Sequence, residues 1–186
     1  MFRRTATALI GMTLLSLPTA THAESRVRHD ARHDVVAPSG HARPANASSD
    51  LTRVAVHHRA RVVSVTAQVR DLAARPRTTI LVTHIVTPDR TYTVNVTRWE
   101  AQSARIFLVS SEDAPLKCRG ARGGMDAKRD VVRFAVPRRC LGRPAWVRVG
   151  VGLLSFRGTQ GLSDDALTAG PADINDPTLG RRLSRG

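Results

Sequence analysis

The sequence predicts an all-β protein: a single β-sandwich of about seven strands, immunoglobulin-like or jelly-roll-like, with a disordered N-terminal linker and an irregular C-terminal tail. Three observations predict it. From residue 50 onward apolar residues recur with period two, the signature of strands buried on one face. Turn-forming residues punctuate that pattern at short intervals. After residue 23 no stretch sustains the 3.6-residue period of an amphipathic helix. Aromatic residues make up only 4% of the chain, so β-branched aliphatics must supply most of the core.

Residues 1–23 read as a secretory signal peptide. Phe2-Arg3-Arg4 forms a positive start, and residues 5–17 are mostly apolar but too short to span a bilayer. Pro18 ends that run, and Thr21-His22-Ala23 sets small residues ahead of a cleavage before Glu24, with cleavage after Ala20 as the alternative. The expected location is extracellular, and no second apolar stretch is long enough to cross a membrane. Residues 24–49 are rich in His, Arg, Asp, Ala, Pro and Ser. Such a stretch buries too little apolar surface to offset its ordering entropy, so it is expected to be a disordered linker.

The β-sandwich domain is expected over residues 50–157. Val54 and Val56 alternate with Arg53, Ala55 and His57 in its first strand. Val63, Val65, Ala67 and Val69 alternate with polar residues in the second, over 62–69. A third strand over 78–87 has Ile80, Val82 and Val86 on one face and Leu81 and Ile85 on the other, which suits a central position. Pro88-Asp89-Arg90 turns the chain into a fourth strand over 91–100, with Tyr92, Val94 and Val96 facing inward. Further strands are expected over 105–110, 131–136 and 145–156. Residues 111–130 between them form a polar excursion. Pro137 starts a single helical turn, and Gly150 and Gly152 mark a bulge or the close approach of another backbone. Residues 158–186, rich in Gly, Asp and Pro, are expected to be an irregular polar tail.

The chain carries +14, and that charge is concentrated: residues 50–157 hold 20 basic and 8 acidic residues, whereas 24–49 carries +1 and 158–186 carries −1. Only two of the 29 basic residues are lysines, Lys117 and Lys128. Arginine grips carboxylate and phosphate through a planar fork, so the expected partners are anionic cell-wall or membrane-surface components. Nucleic acid is disfavoured because aromatic stacking platforms are nearly absent. Cys118 and Cys140 fit a disulfide of an oxidising compartment, and no histidine lies between them to suggest a metal site.

The candidate anion-binding residues are Arg119, Arg122, Arg133, Arg138, Arg139, Arg143 and Arg148, gathered around one end of that disulfide or alternating outward on flanking strands. No catalytic, cofactor or metal set is assigned. His29 and His33 have a helical metal-binding spacing but lie in the linker. Asp164, Asp165, Asp173, Asn175 and Asp176 collect oxygens without matching a calcium loop. His57, His58 and His84 are the only residues on which a secreted hydrolase could be built, and neither a nucleophile elbow nor paired carboxylates accompany them.

The stretch from Val136 through Pro137-Arg138-Arg139-Cys140-Leu141-Gly142 to Val149 is similar to one found in small secreted actinobacterial proteins of unknown function. These resemble this chain in their signal peptide, polar linker, arginine-rich β domain, paired cysteines and Arg-Gly ending, here Arg185-Gly186. The resemblance, over residues 50–186, implies fold and compartment and no catalytic residues. The expected function is a non-enzymatic secreted binding or structural module. An accessory interaction domain for another secreted protein is the alternative, and a hydrolase a more distant one.

Overall fold

A computed structural model describes residues 24–37, 39–72, 78–100, 102–112, 114–169, 172–173 and 178–186. The expected signal peptide lies outside the described residues. Eleven strands are formed among them: β1 (Glu24–His29), β2 (Leu51–His58), β3 (Val62–Val69), β4 (Thr78–Val86), β5 (Thr91–Arg98), β6 (Arg105–Ser110), β7 (Arg122–Asp126), β8 (Val131–Pro137), β9 (Trp146–Arg157), β10 (Gln160–Asp165) and β11 (Leu183–Ser184). Among the described residues the one helical segment is a 3₁₀ turn, Arg138–Leu141. The protein is all-β, as the period-two patterning predicts.

Two antiparallel sheets make the sandwich. One has the order β1-β2-β3-β8-β7, the other β10-β9-β4-β5-β6, with β11 also pairing with β9. The core between them comes from the alternation already legible in sequence. Val63, Val65 and Ala67 of β3 and Val132, Phe134 and Val136 of β8 face Leu81 and Ile85 of β4, Tyr92, Val94 and Val96 of β5, and Val147, Val149, Val151 and Leu153 of β9. Strand β4 is central, flanked by β5 and β9. Its Leu81–Ile85 face is buried, whereas Ile80, Val82 and Val86 stand half-buried on the outside. The β4–β5 hairpin closes at Thr87, whose backbone N–H donates to the Arg90 carbonyl at 3.0 Å and whose hydroxyl donates to the same oxygen at 2.8 Å.

Four strands exceed the seven expected. In residues 24–49, β1 adds to the edge of β2 in register from Glu24 opposite His58 to His29 opposite Arg53. Val35, Val36, Ser48 and Ser49 are buried. The described part of this segment is thus more ordered than a linker. An edge strand is held by backbone hydrogen bonds and can join a sheet with little apolar content. In the polar excursion, β7 pairs with β8 despite its two glycines, because Gly123 packs so tightly that an added Cβ would lie 3.0 Å from Val96 Cγ2 and 3.2 Å from Ile106 Cβ. In the tail, β10 and β11 both pair with β9, and Ala166 and Leu183 enter the core. Pro137 precedes the 3₁₀ turn rather than occupying its first position, and Gly142 closes the turn in the left-handed region at φ 72°.

The disulfide joins Cys118 to Cys140, with Cα atoms 5.8 Å apart, and ties the loop before β7 to the 3₁₀ turn after β8. Both half-cystines pack against the core. Replacing both cysteines by alanine is expected to cost roughly 3 kcal/mol of stability, mostly by freeing the unfolded chain. Urea denaturation checks this, and an unchanged midpoint would mean that the bridge contributes nothing net.

Candidate functional site

The sandwich divides the seven candidate arginines into three groups. Arg122 on β7 stands opposite Ala135, and Arg133 on β8 stands opposite Gly124 and Thr66, so both side chains project from the outer face of the five-stranded sheet. They are diagonal cross-strand neighbours, roughly 7–8 Å apart at the backbone. Both are exposed, and they line an open groove of about 450 Å³ together with Ser64, Thr66, Gly124 and Ala135. A Cβ at Gly124 would meet nothing within 4 Å, so the missing side chain leaves the groove floor open.

A second group sits beside the disulfide. Arg139 donates from its guanidinium to the Arg119 carbonyl, and both side chains are exposed, as is Arg143. The last two arginines are structural. Arg138 is buried, and its guanidinium donates to the carbonyls of Ala60 at 2.8 Å, Arg143 at 3.0 Å and Pro144 at 2.5 Å. Arg148 lies on β9 in the other sheet, where its Nε donates to the Gly180 carbonyl at 3.0 Å. The seven therefore do not form one patch: strand order sends Arg133 and Arg148 to opposite faces of the molecule.

The three histidines are likewise separated. His57 is on the outer face of the five-stranded sheet, and burial next to Arg59 and Arg53 lowers its pKa. His58 is fully buried and donates from Nδ1 to the Leu183 carbonyl at 3.0 Å. Burial lowers its pKa, so the neutral ring pins the C-terminal segment. His84 faces outward from β4, on the opposite sheet. His29 and His33 do not share a helical face, because His29 ends strand β1 and His33 turns away at φ 72°.

The structure also assembles an acidic cluster that sequence spacing does not reveal. Asp34, Asp50 and Asp164 each bring a carboxylate oxygen within 4.8 Å of the others. Asp164 is the inward-facing residue of β10 opposite Leu153, and Asp50 lies just before β2. Asp164 accepts from the Leu51 N–H at 2.7 Å, and Asp50 accepts from the His33 N–H at 2.9 Å. Arg70 is the cluster's cation: its Nε lies 3.0 Å from Asp50 Oδ2, and its Nη2 donates to the carbonyls of Pro44 at 3.0 Å and Asn46 at 2.8 Å. Burial, reinforced by neighbouring carboxylates, pushes Asp164 up to about 8 and Asp30 up to about 7. Asp34 is raised as well, chiefly by burial, and Asp165 by burial against hydrogen bonds that oppose it. Of the tail acids expected to be plain polar residues, Asp164 and Asp165 are therefore buried and partnered, while Asn175 and Asp176 lie outside the described residues.

What the fold and these surfaces define is a disulfide-bonded β-sandwich with one arginine-lined outer face and one buried acidic cluster. No family model, curated protein or solved structure matches the chain.

Two outcomes follow from these placements. Arg138→Met should destabilise the fold by about 3 kcal/mol, because three carbonyls lose a charged donor, whereas Arg139→Ala should change stability little. Paired denaturation curves check the contrast. Between pH 4 and 8 the folded state holds protons on Asp164 and Asp30 that the unfolded chain has released, so stability should fall as pH rises through that window. Melting curves from pH 5 to 8 in buffer freed of divalent cations should show the decline, and Asp164→Asn should flatten it.

Proposed function

We propose that this chain is a secreted, non-enzymatic binding module that engages anionic cell-envelope polymers through arginines on the outer face of its five-stranded sheet. The observation that carries this reading is the groove between Arg122 and Arg133. Its described lining residues supply guanidinium and hydroxyl donors from Arg122, Arg133, Ser64 and Thr66, and include no carboxylate. Among the described residues two ion pairs are formed, Arg70–Asp50 and Arg129–Asp126, so neither groove arginine is neutralised internally. A repeating polyanion can add one contact per charge along such a face, each weak by itself because exposed pairs are solvent-screened. Arg53, on the same face two strands away, extends the positive track. The disulfide supports an oxidising compartment in this reading.

A second reading, an accessory domain for another secreted protein, is favoured by the opposite face. Ile80, Val82, Val109, Leu154 and Phe156 share an open concavity of about 620 Å³ with His84, Asn95 and several threonine and serine side chains. Near it Phe107 is 42% exposed and stacks edge-on against Trp99 at 5.6 Å. Surfaces of this composition are used for protein contacts.

The two faces can be tested separately. Binding of the full chain to a glycerol-phosphate polymer should weaken steeply with added salt. The Arg122→Ser/Arg133→Ser pair should lose about tenfold in affinity at low ionic strength without a change in melting temperature. Affinity indifferent to both salt and the double substitution would end the arginine reading. Retained polymer binding in a Phe107→Glu variant that no longer captures a protein partner would assign the partner to the outer face of the six-stranded sheet.

A further inference from the structure

We infer that Asp34, Asp50 and Asp164 form a calcium-binding site that clasps the N-terminal segment onto strand β10. Three chain segments meet there, each presenting a carboxylate oxygen within 4.8 Å of the other two. Asp50 and Asp164 are both 0% exposed. Each keeps one oxygen fixed by a hydrogen bond, from His33 N–H to Asp50 Oδ2 and from Leu51 N–H to Asp164 Oδ2. Their other oxygens, Asp50 Oδ1 and Asp164 Oδ1, are buried and accept no hydrogen bond, and neither oxygen of Asp34 accepts one. Buried carboxylate oxygens without a donor are costly, and a cation is the partner that satisfies several at once.

Charge and donor type select the ion. Three carboxylates face a single guanidinium, Arg70, which sits on Asp50. Once a cation displaces the Asp164 proton, the ionised cluster holds about two negative charges that Arg70 does not compensate, which a divalent cation neutralises. The donors are all hard oxygens, the set that calcium and magnesium take and that zinc and copper leave to nitrogen and sulfur ligands. Oxygens within 4.8 Å of one another can all reach a central calcium at 2.3–2.6 Å, and calcium tolerates the irregular geometry of ligands from three chain segments better than octahedral magnesium.

The site is independent of the arginine face, and its test needs no polymer. The full chain, freed of divalent cations, is titrated with calcium chloride by calorimetry and followed in parallel by thermal melting. One ion per chain is expected, with a rise in melting temperature of roughly 5–10 °C once calcium exceeds Kd by about a hundredfold. Magnesium chloride at the same concentration should give a smaller rise. Asp34→Asn and Asp164→Asn should each weaken calcium binding at least about tenfold. Asp34 lies outside the hydrophobic core, so its variant should keep the wild-type circular dichroism spectrum and report on binding rather than folding. No heat and no shift with calcium, an equal shift in a correctly folded Asp34→Asn variant, or a larger shift with magnesium would each overturn the assignment.

Discussion

The sandwich depends on one strand. β9 runs twelve residues, and Val147, Val149, Val151 and Leu153 drive its inner face into the core. Along one edge it pairs with β4 from Arg148 opposite Val86 to Phe156 opposite Thr78. Its other edge is shared between β10 at one end and β11 at the other. Between those two strands the Ala166 N–H donates to the Val151 carbonyl and the Gly180 N–H to the Val149 carbonyl, each at 3.0 Å. A long strand with an unsatisfied edge would invite pairing with other chains, and here residues of the tail cover that edge. Gly152 permits the crossing: a Cβ there would lie 2.5 Å from the Cβ of Ala172.

The N-terminal segment is held to the sandwich by the same logic of satisfied polar groups. Arg70 reaches from the end of β3 to the carbonyls of Pro44 and Asn46 and to the carboxylate of Asp50, while its own N–H donates to the Asp50 carbonyl at 2.8 Å. Ser49 and Ser155 share a hydroxyl contact across the sandwich, and Val36 pairs with Ser163 of β10. These contacts bring Asp34 and Asp50 to the inward-facing Asp164. The acidic cluster is therefore a consequence of how the two ends of the domain dock at one edge. The arginine face, by contrast, belongs to the opposite edge of the five-stranded sheet, where β7 and β8 leave it open to solvent.

Much of the core was legible because a strand buried on one face writes its burial into alternate residues. β3, β5 and β8 show this plainly: Val63, Val65 and Ala67, then Tyr92, Val94 and Val96, then Val132, Phe134 and Val136. The disulfide was legible too, as two cysteines with no histidine between them. β7 and β1 were not, for different reasons. β7 contains Gly123 and Gly124, which weaken a strand in isolation, and it forms because Gly123 alone leaves room for Val96 and Ile106. β1 is an edge strand whose side chains are largely exposed, so no apolar alternation marks it. The candidate arginines stand in the sequence as one charged set, but Arg138 looks like its neighbour Arg139 there and differs only in the carbonyls that surround it.

By itself the sequence determined the all-β class, the inward and outward faces of the central strands and the concentration of positive charge in residues 50–157. Each of these is local, carried by period-two burial or by composition. Only the tertiary structure decided which arginines share a face, because that depends on strand order and on the register of β7 against β8. It alone decided that Asp34, Asp50 and Asp164 meet, since a strand's pattern records that a residue faces inward and never which distant segment lies across from it.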